Sequence, residues 1–227
     1  MMNLLTIKSA FKESIPVMMG YLVLGFAFGM LLVSKGFPIY YAFIMSCFIY
    51  AGSMQFVTIS LLASQASFIS SFIMTLMVNA RHLVYGLSML KKFNFLGKLK
   101  PYMIFSLTDE TFSLLVRNDF KSKNEVFLIS FLDQCYWIIG SLVGATIGNN
   151  VSFNTQGLEF SMTALFIVIV INQIKNNSNH LATLIGFFVS IICLIIFGSD
   201  NFVIFSMILI MIILIFCLLY TSDAADE

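Results

Sequence analysis

Five residues of this chain can carry charge or a proton inside otherwise apolar sequence: Arg81 and His82 in "MVNARHLVYG", Asp109 and Glu110 in "TDETF", and Asp133. A cation at the centre of a membrane span costs roughly 2.5 to 3.5 kcal/mol, so such a residue faces the bundle interior and needs a partner. Counted back from Lys91, Arg81 lies about 15 Å into its segment. The nearest acidic pair in an apolar setting is Asp109 and Glu110. On an unbroken helix Glu110 would share a side with Ser106, Ser113 and Arg117, and Asp109 with Phe105, Phe112 and Val116. Those surroundings differ, so one carboxylate could pair with Arg81 while the other carries a proton. A buried ion pair that only fixes helix register is the plainer alternative.

His82, which titrates near neutrality, suits a proton relay or an interhelical hydrogen bond equally. With Ser71, Thr75, Asn79 and Gly86 it forms one polar face if residues 68–90 make a single helix. Asp133 is a further ion or proton candidate by the same reasoning. Beyond it Gly140, Gly144 and Gly148 recur every fourth residue, a seam for close helix packing. No Cys/His spacing points to a metal. The chain has no H-E-x-x-H, G-x-S-x-G or phosphate-loop pattern, so it reads as non-enzymatic and free of cofactors.

The elements that must position these residues are membrane helices. Apolar residues make up 59% of the 227, charged residues 10%, and mean hydropathy is +0.97, beyond the roughly 45 to 50% apolar share of soluble domains. Net charge of +1 leaves no basic face for nucleic acid. The four cysteines lie in apolar runs and read as buried small side chains. Apolar segments fall near 15–34, 38–62, 68–90, 102–118, 126–147, 158–174, 180–197 and 202–220, with about 20 residues needed to cross about 30 Å of hydrocarbon. The expected fold is an all-α polytopic bundle in one domain, 1–220, followed by a polar tail, 221–227, read as disordered or a sequence scar.

Lys and Arg are retained on the cytoplasmic side. If all eight segments cross, with the N-terminus inside, Lys8, Lys12, Arg117, Lys121, Lys123 and Lys175 oppose Lys35, Lys91, Lys92, Lys98 and Lys100, which is no bias. If 38–62 and 102–118 each re-enter and leave on the side they came from, only Lys35 remains outside. These are also the two segments interrupted by polar residues, "AGSMQF" and "TDETF", and irregular backbone at membrane depth is tolerated where it lines a cavity. The expectation is about six full spans plus two broken or re-entrant segments, eight full spans being the alternative.

"GYLVLGFAFG", "AGSMQF", "NARHLVYG" and "DETFSL", with a weaker match at "GLEFSMTALF" where an aspartate is expected at Glu159, resemble the AzlC-type large subunit of bacterial branched-chain amino acid exporters. The resemblance implies a secondary transporter in the bacterial cytoplasmic membrane that exports valine, leucine, isoleucine and methionine, coupled to protons, with a small AzlD-type membrane subunit as partner. A zwitterionic substrate would need donors for its carboxylate, for which Arg81, Asn79 and half-helix N–H groups near Ser53 are candidates. Its ammonium would need acceptors, for which Glu110 or Asp109, Gln55 and unwound carbonyls are available. Protonation of Asp109, Glu110 or His82, or of Asp133, would then bias opening. A passive channel and a non-transporting scaffold subunit are the competing readings.

Overall fold

A computed structural model describes residues 4–117, 122–150 and 180–223, with isolated positions between 160 and 175; for a few of these, Arg81 and Arg117 included, it describes the backbone alone. The segment 158–174 with Glu159 therefore lies largely outside the described residues, as do residues 224–227 of the tail. The chain divides into two compact units, Met1–Leu165 and Phe166–Glu227.

The first unit is built on two long helices, α1 (Leu4–Ser34) and α8 (Lys123–Asn150), each long and apolar enough to cross a membrane. Their contacts climb together. Ser9 donates to Glu125 at 2.6 Å near both N-termini, Tyr21 meets Trp137 edge-on at 5.3 Å, and Gly148 lies against Met30 and Val33 near both C-termini. The two helices are therefore parallel. Glycines let their backbones touch: a β-carbon on Gly25 would lie 3.0 Å from the Ser141 nitrogen and the Trp137 carbonyl oxygen, and one on Gly140 would lie 2.9 Å from the Leu22 carbonyl oxygen. Gly29 and Gly144 sit tighter still, against Ser141 and Phe26 respectively. The column Gly140, Gly144, Gly148 thus meets a matching pair on α1, in the manner of small-residue membrane interfaces.

Between these helices the chain makes three broken segments. α1 ends in a glycine turn, with Gly36 at φ 86° and the Gly36 and Phe37 amides bonded back to Val33 and Leu32. Pro38 then starts α2 (Ile39–Phe48), which stops at a bend where Tyr50 takes φ 39° and Ala51 is extended. α3 (Gly52–Ala63) follows. Gly52 abuts the Trp137 ring, and Phe56 meets Phe28 edge-on at 5.7 Å. α3 therefore runs back toward the end of α1 from which α2 set out, and 38–62 is a hairpin with its tip at mid-helix depth.

The segment 100–117 mirrors this from the other end. A 3₁₀ stretch, Lys92–Leu99, precedes α6 (Lys100–Phe105), a break at 106–108, and α7 (Asp109–Arg117). Phe93 and Leu96 of the 3₁₀ stretch, Met103 and Leu107, and Leu115 near the end of α7 share one buried cluster with Ala10, Val126 and Ile129. Lys92 Nζ also donates to the Leu115 carbonyl at 2.6 Å. Both ends of the segment thus lie at the N-terminal end of the α1/α8 pair, with its tip reaching inward. That arrangement puts Lys91, Lys92, Lys98 and Lys100 at the same end as Lys8, Lys12 and Lys123, as the re-entrant reading of the charges requires.

The segment 68–90 traverses the unit, but as two helices. α4 (Phe68–Val78), capped by Ser67 Oγ on the Ser70 amide at 3.1 Å, is followed by Asn79 at φ −93°, ψ 4° and then by α5 (Ala80–Met89). The continuous polar helix face expected here is corrected by this interruption. In the second unit α9 (Leu181–Asp223) is broken at Gly198, φ 71°. Its Leu181–Gly198 part is the third helix of spanning length and hydropathy among the described residues. Residues 221–223 of the expected tail belong to α9. The all-α expectation stands, and the chain is a multi-pass membrane protein.

Candidate functional site

The three breaks meet. Tyr50 and Ala51 at the first hairpin tip, Thr75, Asn79 and His82 across the α4–α5 interruption, and Ile104, Phe105 and Leu107 at the second tip line one cleft of about 320 Å³. The tips touch through Tyr50 and Phe105, ring centroids 6.3 Å apart. Across the interruption at Asn79 the His82 amide bonds to the Asn79 carbonyl at 2.9 Å, and Thr75, Asn79 and His82 line the same space. Interrupted helices aim unpaired N–H and C=O groups at such a space. The N-terminus of α3 begins at the cleft-lining Ala51, where a helix favours an anion.

Two polar atoms on cleft-lining residues, the Tyr50 hydroxyl and Asn79 Oδ1, are buried without a hydrogen-bond partner among the described residues. A buried polar group left so costs about 1 to 3 kcal/mol.

Ser53 and Gln55 stand behind the first tip rather than on the cleft wall: both are buried, and Gln55 Nε2 donates back across the bend to Ser46 Oγ at 3.3 Å. Asp109 accepts from the Tyr85 hydroxyl at 2.8 Å, and Tyr85 stacks on Phe112 at 4.3 Å and meets His82 edge-on at 5.9 Å. His82 and Asp109 are thus joined through one tyrosine. The Arg81 side chain, and with it the expected ion pair, lies outside the described residues.

Glu110 and Asp133 belong to a different group. Tyr21 of α1 hydrogen-bonds Glu110 Oε2 at 2.8 Å and also contacts Thr108 Oγ1; Thr108 bonds Thr111 Oγ1 at 3.1 Å, and Thr111 bonds Asp133 Oδ2 at 2.8 Å. Thr108 also caps α7 by accepting from the Thr111 amide at 3.3 Å. Asp133 is fully buried, its Oδ1 and the nearby Ser130 hydroxyl without partners among the described residues. Tyr50 lines the cleft, and its hydroxyl is buried with no hydrogen-bond partner among the described residues. The break at 106–108 takes Ser106 off the helix that carries Glu110, so the expected grouping of those two gives way to Tyr21 and Thr108.

Sequence reasoning missed Tyr21, Thr108, Thr111 and Gln134. Gln134 ties both hairpins to α8, accepting from the Tyr102 hydroxyl at 2.8 Å and donating to the Cys47 carbonyl at 3.3 Å. A glutamine one position from Asp133 in an apolar run was the available signal.

A family profile described as AzlC protein matches residues 16–151, a range that holds both the cleft and the Asp133 group. The branched-chain amino acid transport protein AzlC of Bacillus subtilis (strain 168) is 42% identical over 208 residues, covering 90% of this chain and 82% of its own. A protein of Helicobacter pylori (strain 26695) described as an uncharacterized membrane protein is 44% identical over 211 residues, 91% of this chain and 92% of its own. The inner membrane protein YgaZ of Escherichia coli (strain K12) is 30% identical over 183 residues, 76% and 75% of the two chains. No solved structure matches. The chain belongs to the AzlC family.

Proposed function

We propose that this chain is the transporting large subunit of a secondary exporter of branched-chain amino acids in the bacterial cytoplasmic membrane, coupled to protons and working with a small AzlD-type membrane subunit. The observation that carries this reading is the convergence of three helix breaks on one mid-depth cleft, the arrangement by which transporters build substrate sites. A relative at 42% identity, whose name gives branched-chain amino acid transport, supports the substrate class.

The cleft suits a small zwitterion with an apolar side chain. Its volume of about 320 Å³ lies at the low end of the ~300 to 1,000 Å³ of ligand cavities. The α3 N-terminus, Asn79 and Arg81 supply donors for a carboxylate; the carbonyls at the end of α2 and the Tyr50 hydroxyl accept from an ammonium. Ile49, Leu76, Leu83, Ile104 and Phe105 give the apolar wall for a branched side chain. Ser53 and Gln55 act from behind, holding the first tip in shape.

Counterflow of labelled leucine into leucine-loaded liposomes tests the proposal, with the chain reconstituted alone and with the small subunit. Saturable counterflow by the two together is expected; its absence in both preparations overturns the reading.

A further inference from the structure

We infer that Glu110 and Asp133 share a single proton through a relay of three hydroxyls, Tyr21, Thr108 and Thr111, and that this relay is the coupling element of the transporter. The inference rests on the transport reading above and names the groups that would serve it. The relay has four oxygen–oxygen contacts in line: Glu110 to Tyr21, Tyr21 to Thr108, Thr108 to Thr111, and Thr111 to Asp133. A hydroxyl supplies one hydrogen and an ionised carboxylate none. With both acids ionised, three hydrogens must serve four contacts, and one pair of oxygens faces with nothing between.

One added proton completes the line, and only two ordered arrangements then exist. With the proton on Glu110, that carboxyl donates to Tyr21, Tyr21 to Thr108, Thr108 to Thr111, and Thr111 to an ionised Asp133. With it on Asp133, every bond runs the other way. Passing between them breaks four O–H bonds and makes four, and moves one positive charge from the α7 surface to α8 with no hydrogen lost or gained.

Burial gives the two ends different roles. Tyr21, Thr108, Thr111 and Asp133 are all buried, whereas Glu110 is half-buried. Glu110 is the end that exchanges with its surroundings, and Asp133 is the closed end. The unpartnered Asp133 Oδ1 and Ser130 hydroxyl show that the closed end is not saturated by protein contacts among the described residues. Among the described residues, the titratable groups within electrostatic reach of Asp133 are Glu110 and Tyr21, Tyr50, Tyr102 and Tyr136, Glu110 being the one carboxylate in that set.

Thr111→Val keeps the shape of the side chain and removes one hydroxyl, which cuts the relay; Thr111→Ser keeps the hydroxyl. In liposomes holding both subunits, Thr111→Val is expected to leave leucine counterflow near the wild-type rate and to lower pH-gradient-driven leucine flux about 10²-fold, with Thr111→Ser restoring it. Pure exchange needs no net proton movement, so the two assays separate. Infrared spectroscopy of the unliganded protein at neutral pH gives a readout independent of transport: one protonated-carboxyl band that shifts in Thr111→Val and is lost in Asp133→Asn. Wild-type gradient-driven flux in Thr111→Val, equal loss of counterflow and driven flux in both Thr111 variants, or absence of the band overturns the shared proton. Absence of wild-type counterflow would instead sink the transport reading, and the infrared result would still decide whether the proton is shared.

Discussion

The carbonyl oxygen of Phe26 occupies the space that a β-carbon on Gly144 would need. The α1/α8 contact is therefore made by backbone. Gly144→Ala forces the two helices apart and should destabilise the protein by about 1 to 3 kcal/mol, read as a lower Tm in detergent. Gly20→Ala in α1 is the control, because a β-carbon there meets nothing within 4 Å. It should be neutral or stabilising by up to about 1 kcal/mol, the helix propensity difference.

Tyr50→Phe separates stability from binding. It removes a buried hydroxyl that has no hydrogen-bond partner among the described residues, so Tm should hold or rise. If that hydroxyl meets the substrate ammonium, the KM for leucine rises about 3- to 10-fold, the worth of one hydrogen bond. An unchanged KM removes Tyr50 from the substrate site.

Arg81 is tested by two substitutions. A guanidinium that grips a carboxylate in two places is not replaced by an ammonium, so Arg81→Lys should raise KM and Arg81→Gln should raise it further, about 10- to 100-fold, as for a charge-assisted bond. Counterflow at graded leucine concentrations measures both. Equal KM values in the two variants and the wild type would take Arg81 out of carboxylate binding.

The hairpin arrangement predicts sidedness. In a chain with its four cysteines replaced, single cysteines at the exposed Lys12 and Lys98 should react with an impermeant thiol reagent from the same side, and one at the exposed Lys35 from the opposite side. Full crossing by every segment would instead put Lys98 with Lys35.

The two hairpins were legible in the sequence because Gly52 and Ser53 interrupt one apolar run and Asp109 and Glu110 the other, and each pair falls on the first turn of the helix that follows the break. The glycine column on α8 was legible from its spacing, and its counterpart, Gly25 and Gly29, lay inside "GYLVLGFAFG". The interruption at Asn79 was not legible, because one asparagine costs a helix little and the polar stripe around it fitted an unbroken 3.6-residue period. The relay was not legible either: Tyr21 meets Glu110 across 89 positions of sequence and Thr111 meets Asp133 across 22, and no local pattern encodes such pairings.

Helices that touch through main chain, with glycines in the seam, have no side-chain layer to slide over and so behave as a fixed mast. The hairpins are tied to that mast by side chains instead: Gln134 and a few rings for both, and for the second also the Tyr21 and Thr111 hydrogen bonds and a buried apolar cluster. On the transport reading proposed above, the strokes of cargo release would fall to the short limbs on either side of each bend, a division of labour between rigid axle and moving vanes rooted in the spacing of small residues.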